Sequence, residues 1–144
     1  MSFPGKPMKR ERVALFGGTF NPVHLGHLHL ARACRAEFHF DRILFLPTNL
    51  PPHKAAPQLA SNADRLAMLE LALEEEPGFE PCDIEYRMGG KSYTVHTLAY
   101  LLEQNPQADY YWLIGADMLF TFREWFEWEK ILSMANLIVG VRQE

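Results

Sequence analysis

The sequence predicts an α/β fold of three layers, in which helices cover both faces of a parallel sheet of about five strands. Short, continuous apolar runs recur along the chain, as strands buried on both faces require. Segments with helical spacing of apolar residues separate these runs, which is the order of repeated strand–helix–strand units. The helices between parallel strands would lie on the two faces of the sheet.

Each element follows from its own stretch of sequence. The predicted strands are Arg12–Gly17, Arg42–Thr48, the alternating run Cys82–Arg87, Asp109–Asp117 and Asn136–Arg142. The predicted helices are His24–Phe38, Asn62–Glu76, Thr94–Glu103, Leu119–Glu124 and Trp128–Met134. Pro47 stops the second strand, and the proline-rich stretch Thr48–Ser61 is predicted to be a loop. In a Rossmann-like sheet ligands bind outside the carboxyl ends of strands, so Gly17–Asn21 and Gly115–Asp117 are the candidate loops.

Composition limits the function classes. The 144 residues are 48% hydrophobic and 22% charged, which suits one domain with a core and argues against disorder. A net charge of −4 disfavours an extended nucleic-acid partner. Cys34 and Cys82 lack metal or redox spacing and are expected to be reduced thiols. The basic tail, residues 1–12, is no secretory signal, and no window approaches a membrane span, so we expect one soluble, cytoplasmic domain over residues 1–144.

The stretch Leu15–His27, "LFGGTFNPVHLGH", joins the first strand to the first helix. Gly17 and Gly18 let the backbone turn sharply and come close to a ligand. Asn21 is a good N-cap and Pro22 suits the first helical position, so the helix is predicted to begin there. The stretch is neither a GxGxxG turn nor a GxxxxGK phosphate loop, which leaves dinucleotide oxidoreductases and P-loop kinases unsupported.

Two histidines follow the turn, and they indicate which kind of ligand the site binds. His24 and His27 stand three residues apart, on one face of the first helical turns. A helix N-terminus attracts phosphate, and imidazoles there can donate hydrogen bonds to phosphoryl oxygens. The pair could also bind a metal, since this spacing is metal-compatible. No third ligand lies nearby in the sequence, so phosphate binding is the favoured interpretation. His29 and His39 carry no such motif and are expected to be exposed.

Four motifs together resemble a known family. "GGTFNPVHLGH" is similar to the GxFxPxHxGH signature of the nucleotidylyltransferase α/β-phosphodiesterase superfamily. Three more resemble motifs of the bacterial nicotinate-nucleotide adenylyltransferase family: "PPHK" (Pro51–Lys54), "KSYTVHTL" (Lys91–Leu98) and "GADMLFTFREWFEW" (Gly115–Trp128). The resemblance extends over Val13–Arg142. It implies an enzyme of NAD biosynthesis that transfers AMP from ATP to nicotinate mononucleotide, with nicotinate adenine dinucleotide and pyrophosphate as products.

The resemblance also implies roles for individual residues. His24 and His27 would contact the ATP phosphates and stabilise the transition state, with Mg²⁺ bound mainly by the ATP phosphates and no protein metal site. The residues that would line the phosphate crevice are Gly17, Gly18, Thr19 and Phe20. Those that would bind the mononucleotide phosphate are Asn49, His53 and Lys54. Those near the nicotinate ring, ribose or base would be Thr94, Asp117, Trp125 and Phe126, with Trp125 stacked on the ring.

Plainer interpretations stay open for several of these residues. Trp125 and Phe126 could be packing aromatics, which is the expectation for Trp128. Asp117 could simply cap a helix, alone or in addition to binding. The chain could also use nicotinamide mononucleotide or phosphopantetheine as the acceptor, use a cytidylyl donor, or bind nucleotides without turnover. Whether it forms a homo-oligomer is open.

The sequence departs from the family pattern at its C-terminal side. The family continues past "LIVGVR" with a further strand and an "ISSTxxR" segment that embraces the ATP phosphates, and no such segment occurs up to Glu144. The resemblance therefore implies slower adenylyl transfer by a polypeptide ending at Glu144 than by one that carries the segment.

Overall fold

The computed structural model describes residues 10–51 and 58–141. The strands are β1 (Glu11–Gly18), β2 (Arg42–Pro47), β3 (Phe79–Pro81), β4 (Ala108–Gly115) and β5 (Asn136–Gly140). The helices are α1 (Leu25–Phe38), α2 (Asn62–Leu73), α3 (Ile84–Met88), α4 (Thr94–Gln104), α5 (Ala116–Leu119) and α6 (Trp128–Met134), with a 3₁₀ turn at Phe122–Glu124. Among the described residues, no helix is long and apolar enough to span a membrane.

The five strands form one sheet in the order β3–β2–β1–β4–β5, and every neighbouring pair is parallel. From β1 the chain first moves outward through β2 and β3, then returns to the other side of β1 for β4 and β5. The strand order therefore reverses between β1 and β4. The predicted three-layer α/β class with a parallel sheet is confirmed.

The central strand β1 separates two apolar cores. Val13 and Leu15 pack with the residues of α3, α4 and α6, whereas Ala14 and Phe16 pack with α1 and α2. Successive side chains of a strand point to opposite faces, so one continuous apolar run serves both cores. This is why the run carries no alternation in the sequence.

The predicted strand Cys82–Arg87 is wrong. The edge strand β3 lies just before it, and the backbone N–H of Cys82 makes the last bond to this part of the sheet, to the carbonyl of Phe45 at 2.8 Å. The chain then turns into α3, which buries the adjacent residues Ile84 and Glu85. A run of six residues fits a strand or a single helical turn equally well, so alternation alone could not separate them.

Helix α1 begins at Leu25, after the N-terminal boundary predicted from Asn21 and Pro22. The Asn21 side chain does not cap it, because its Nδ2 donates to the carbonyl of Gln58 at 3.2 Å and its Oδ1 accepts from the N–H of Ala60 at 3.0 Å. His24 is the N-cap instead, and the first helical residue is Leu25. A tertiary contact thus occupies the side chain that local preference assigns to the cap.

Two further boundaries differ near the end of β4. The strand stops at Gly115, so Asp117 lies in the short helix α5 rather than in the strand. The predicted helix Leu119–Glu124 is divided between the end of α5 and the 3₁₀ turn. Both changes place short helical pieces directly above the carboxyl end of the sheet.

Candidate active site

A cavity of about 850 Å³ opens at the carboxyl ends of β1 and β4, where the strand order reverses. Open α/β sheets bind ligands at this point, and both candidate loops border the cavity. One wall, called here the glycine side, is formed by Gly17–Phe20, His24 and His27. A second wall, the aromatic side, is formed by Ser92–Thr94, Trp125 and Phe126.

The two histidines of the glycine side are fixed by the backbone of the helix start. The Nδ1 of His24 accepts from the N–H of Gly26 at 3.1 Å, and the Nδ1 of His27 accepts from the N–H of His24 at 3.0 Å. The two rings stack with centroids 3.8 Å apart. Because each Nδ1 is an acceptor, the proton of each neutral imidazole is assigned to Nε2. The capping arrangement therefore presents two N–H donors side by side.

Gly17 and Phe20 support this wall from beneath. A Cβ at Gly17 would come within 2.9 Å of Cζ2 of the buried Trp112, so only glycine lets β1 end this close to that ring. The Phe20 side chain is buried, and its ring lies edge-on to His27 with centroids 5.0 Å apart. Phe20 also borders the cavity, and its ring packs against Phe16 and Phe45 as well as against His27.

The aromatic side is made of side chains from two elements. Tyr93 and Thr94 begin α4, and Trp125 and Phe126 follow the 3₁₀ turn. The Tyr93 and Phe126 rings lie 5.1 Å apart, and Trp125 is half-buried where its ring borders the cavity. Phe126 keeps 47% of its surface exposed. The wall thus offers flat apolar faces to a ligand.

Trp128, by contrast, packs away from the cavity. Its ring lies 6.3 Å from that of Phe122 and rests against the core on the α4 and α6 face. It does not border the cavity. Trp125 packs against the same core but also borders the cavity, so its role in binding a ligand stays a prediction.

A buried carboxyl group, Glu85, lies below the aromatic side, and sequence reasoning missed it. Glu85 is 4% exposed, and its Oε2 accepts from Thr97 Oγ1 at 3.0 Å. The Ser92 hydroxyl also hydrogen-bonds to this carboxyl, while Ser92 Oγ accepts from the N–H of Asn49 at 2.9 Å. Burial raises the pKa of Glu85 to about 7 against these hydrogen bonds. The sequence feature that could have pointed to Glu85 is an acidic residue shortly before "SYT".

The structure describes two of the remaining predicted site residues, and one of these two borders the cavity. Asp117 is exposed and borders the cavity, and a Cβ at Gly115 would come within 2.7 Å of its Oδ1. Asn49 does not border the cavity, since its Nδ2 donates to the carbonyl of Gly90 at 2.8 Å and its Oδ1 accepts from Asn62 at 2.8 Å. His53 and Lys54 lie outside the described residues.

Comparison with known proteins finds a matching family model and relatives that cover most of this chain. A model of the family described as cytidylyltransferase-like matches residues 15–143. A protein of a Synechococcus species named "probable nicotinate-nucleotide adenylyltransferase" is 42% identical over 135 residues, which is 94% of this chain and 67% of the relative. A protein of the same name from Neisseria meningitidis serogroup A is 43% identical over 133 residues, 92% of this chain and 67% of the relative. The chain spans about two thirds of the length of these relatives.

Solved structures share the fold at lower identity. A Vibrio parahaemolyticus structure that carries the nicotinate-nucleotide adenylyltransferase name superposes with a TM-score of 0.79 at 22% identity, covering 93% of this chain and 76% of that one. The Plasmodium falciparum nicotinic acid mononucleotide adenylyltransferase complexed with NaAD superposes with a TM-score of 0.73 at 16% identity, with the same coverage. At these identities the likeness supports the sheet and its connections.

Proposed function

This chain belongs to the cytidylyltransferase-like family and, within it, to the nicotinate-nucleotide adenylyltransferases, and we propose that its cavity transfers AMP from ATP to nicotinate mononucleotide. The products are nicotinate adenine dinucleotide and pyrophosphate, as in NAD biosynthesis. The observation that carries the proposal is the pairing of two walls at the switch point. One presents N–H donors suited to phosphate, and the other presents aromatic faces suited to a pyridine ring.

The reaction needs positioning and charge stabilisation more than base catalysis. A phosphate oxygen of the mononucleotide attacks the α-phosphorus of ATP, a new P–O bond forms, and the bond to pyrophosphate breaks in line with it. The attacking oxygen is already anionic, so no side chain has to remove a proton. The Nε2–H groups of His24 and His27 donate to phosphoryl oxygens and stabilise the charge that develops there. Gly17 and Gly18 let the backbone approach the same phosphates.

In this proposal, Mg²⁺ binds together with ATP. The glycine side consists of N–H donors rather than carboxylates, and residues 10–51 and 58–141 hold no cluster of three His, Cys, Asp or Glu side chains. That donor set fits an ion held by phosphate oxygens and water. When bound, the ion neutralises charge on the leaving pyrophosphate.

The acceptor would bind on the aromatic side. Trp125 would stack on the pyridine ring, next to Phe126 and Thr94, and Asp117 would hydrogen-bond to the ribose or base. These assignments come from the family resemblance, and the position of all four side chains at the cavity supports them. The roles of Asn49, His53 and Lys54 at the mononucleotide phosphate rest on the resemblance alone.

The direct test is pyrophosphate release by the purified chain with Mg·ATP and one acceptor at a time. We expect release with nicotinate mononucleotide and none with phosphopantetheine or with a cytidylyl donor and its acceptor. Nicotinamide mononucleotide in parallel measures the preference between acid and amide. Binding of ATP and nicotinate mononucleotide without pyrophosphate release, or turnover with phosphopantetheine only, would contradict the proposal.

A further inference from the structure

A fully buried arginine lies behind the glycine side. Arg65, in the first turn of α2, has no exposed surface and does not border the cavity. Its Nη1 donates to the carbonyls of Thr19 at 3.0 Å and Thr48 at 2.6 Å. Its Nε donates to the carbonyl of Ala60 at 3.0 Å, and its Nη2 donates to Asn62 Oδ1 at 2.6 Å. One guanidinium group thus holds four acceptors.

These acceptors belong to separate parts of the chain. Thr19 follows β1, Thr48 follows β2, and Ala60 precedes α2. Thr19 and Thr48 both border the cavity, and next to them the N–H of Thr48 donates to the carbonyl of Gly18 at 2.8 Å. Because a guanidinium is planar and its donors have fixed directions, it sets the distance between the segments that it bonds. Arg65 therefore fixes the loop after β1 against the loop after β2.

The positive charge of Arg65 is not balanced by a carboxylate among the described residues. No described carboxylate forms an ion pair with it, and the ring of Tyr86 lies 5.2 Å from the guanidinium carbon. Burial lowers the pKa of Arg65, yet an arginine stays protonated near neutral pH. A buried cation without an acidic partner is costly unless its donors are well used. Here two of the hydrogen bonds hold the carbonyls of the two cavity loops, and the other two hold Ala60 and Asn62 at the start of α2.

We propose that Arg65 is a positioning residue for adenylyl transfer, which holds the loop Gly17–Phe20 in the shape that receives the ATP phosphates. It acts through the carbonyl of Thr19 and touches no substrate. The identity of the ligand as ATP rests on the function proposed above, whereas the effect on the loop does not. The competing interpretation is that Arg65 only attaches α2 to the sheet.

The test compares Arg65→Ala and Arg65→Lys with the control Arg87→Ala in the full chain. Arg87 is an exposed arginine of α3 whose side chain pairs with Asp83, the N-cap of that helix. We expect Arg65→Ala to lower kcat/KM for ATP about 30- to 100-fold, as a displaced reactant does, with little change in KM for nicotinate mononucleotide. Arg65→Lys should recover part of the loss, because an ammonium reaches some of the same carbonyls.

Two further measurements separate positioning from plain stability. Hydrogen–deuterium exchange of the unliganded Arg65→Ala protein should be faster in Gly17–Phe20 and unchanged in β4. Added guanidinium ion should restore part of the activity that Arg65→Ala loses. It should not raise the activity of Arg65→Lys. If KM rises equally for the two substrates while exchange rises throughout the sheet, Arg65 only supports the fold and the proposal is overturned.

A second variant keeps the test decisive if Arg65→Ala does not fold. Asn62→Ala removes one acceptor of the guanidinium and leaves the charge in place, so it should raise exchange in Gly17–Phe20 by a smaller amount. Unchanged exchange there in a folded Asn62→Ala protein would overturn the proposal. If the unmodified chain releases no pyrophosphate, the proposed function fails, and the exchange measurements alone decide the role of Arg65.

Discussion

On the glycine side of the cavity, backbone shapes the wall: a glycine turn ends β1, and the first N–H groups of α1 fix both imidazoles. On the aromatic side, side chains shape the wall, since Tyr93 projects from the start of α4, and Trp125 and Phe126 project from the segment after the 3₁₀ turn. A wall made of backbone tolerates little displacement, whereas a wall of aromatic faces loses contact area one ring at a time. The first should govern kcat and the second KM for the acceptor.

Each side is also supported by one buried ionisable residue, and the two have opposite charge. Arg65 donates to carbonyls behind the glycine side, and Glu85 accepts from hydroxyls below the aromatic side. A cation near the wall proposed to bind phosphate favours an anionic ligand there through charge. A carboxylate below the wall proposed to receive the pyridine acid would not favour that ligand, and the raised pKa of Glu85 keeps its carboxyl partly protonated near neutral pH.

The largest expected effect comes from breaking the glycine side. His27→Ala removes one of two aligned N–H donors and should lower kcat about 10²- to 10³-fold, as the loss of one preorganised donor does. The free energy of unfolding should fall by only about 1 kcal/mol, the usual cost of a lost helix cap. Steady-state kinetics and urea denaturation measure the two quantities.

Two variants sharpen this prediction. His27→Asn retains an acceptor for the cap and lacks the imidazole donor, so it should recover stability without recovering kcat. His29→Ala changes an exposed histidine of the same helix and should leave kcat unaltered. A kcat for His27→Ala near that of the unmodified protein would show that the helix start does not act on the phosphates.

The next effect concerns Glu85 and the pH dependence of stability. Its pKa is about 7 in the folded protein against 4.5 for an ordinary glutamate, so between these values the folded state holds the proton more tightly. Its contribution to the free energy of unfolding therefore falls as pH rises from 4.5 through 7, and it levels off above that range. Relative to the unmodified protein, Glu85→Gln should gain roughly 2–3 kcal/mol between about pH 5 and pH 8.

Urea denaturation at the two pH values measures this difference. Glu103→Gln, a change to an exposed glutamate of α4, provides the matched control and should show no such gain. Parallel stability profiles for Glu85→Gln and the unmodified protein would mean that Glu85 does not titrate in this range. Its hydrogen bonds to Ser92 and Thr97 would then have to be sufficient to keep it ionised.

The fold was predictable where elements depend on local sequence. The apolar runs that became β1, β2 and β4 need only their own residues to be recognised, and the helical spacing of α4 and α6 is similarly local. The run Cys82–Arg87 was misassigned because the sheet edge accepts only Phe79–Pro81. The early start assigned to α1 was wrong because Asn21 is taken by a loop about forty residues away.

In the candidate site, too, some residues could be identified from local sequence and others could not. The glycines and histidines of the glycine side form one continuous motif, so their proximity could be read directly from the sequence. Arg65 and Glu85 could not be assigned roles, because those roles depend on which distant groups meet them: Arg65 donates to Thr19, 46 residues away, and Glu85 accepts from Thr97, 12 residues away. A charged residue in an ordinary amphipathic helix gives no local sign that it will be buried.

The smallest expected effect comes from the aromatic side. Trp125→Ala removes one stacking face, which is worth about 1–3 kcal/mol, and should raise KM for nicotinate mononucleotide about 5- to 150-fold with little change in KM for ATP. Trp125→Phe keeps a face and should recover most of this loss, while Trp128→Phe, a change in packing outside the cavity, should alter neither KM. Since Trp125 also packs against Phe122, thermal unfolding of each variant shows whether the protein remains folded. An equal rise in both KM values would assign Trp125 to packing, and the aromatic side would then lose its stacking residue.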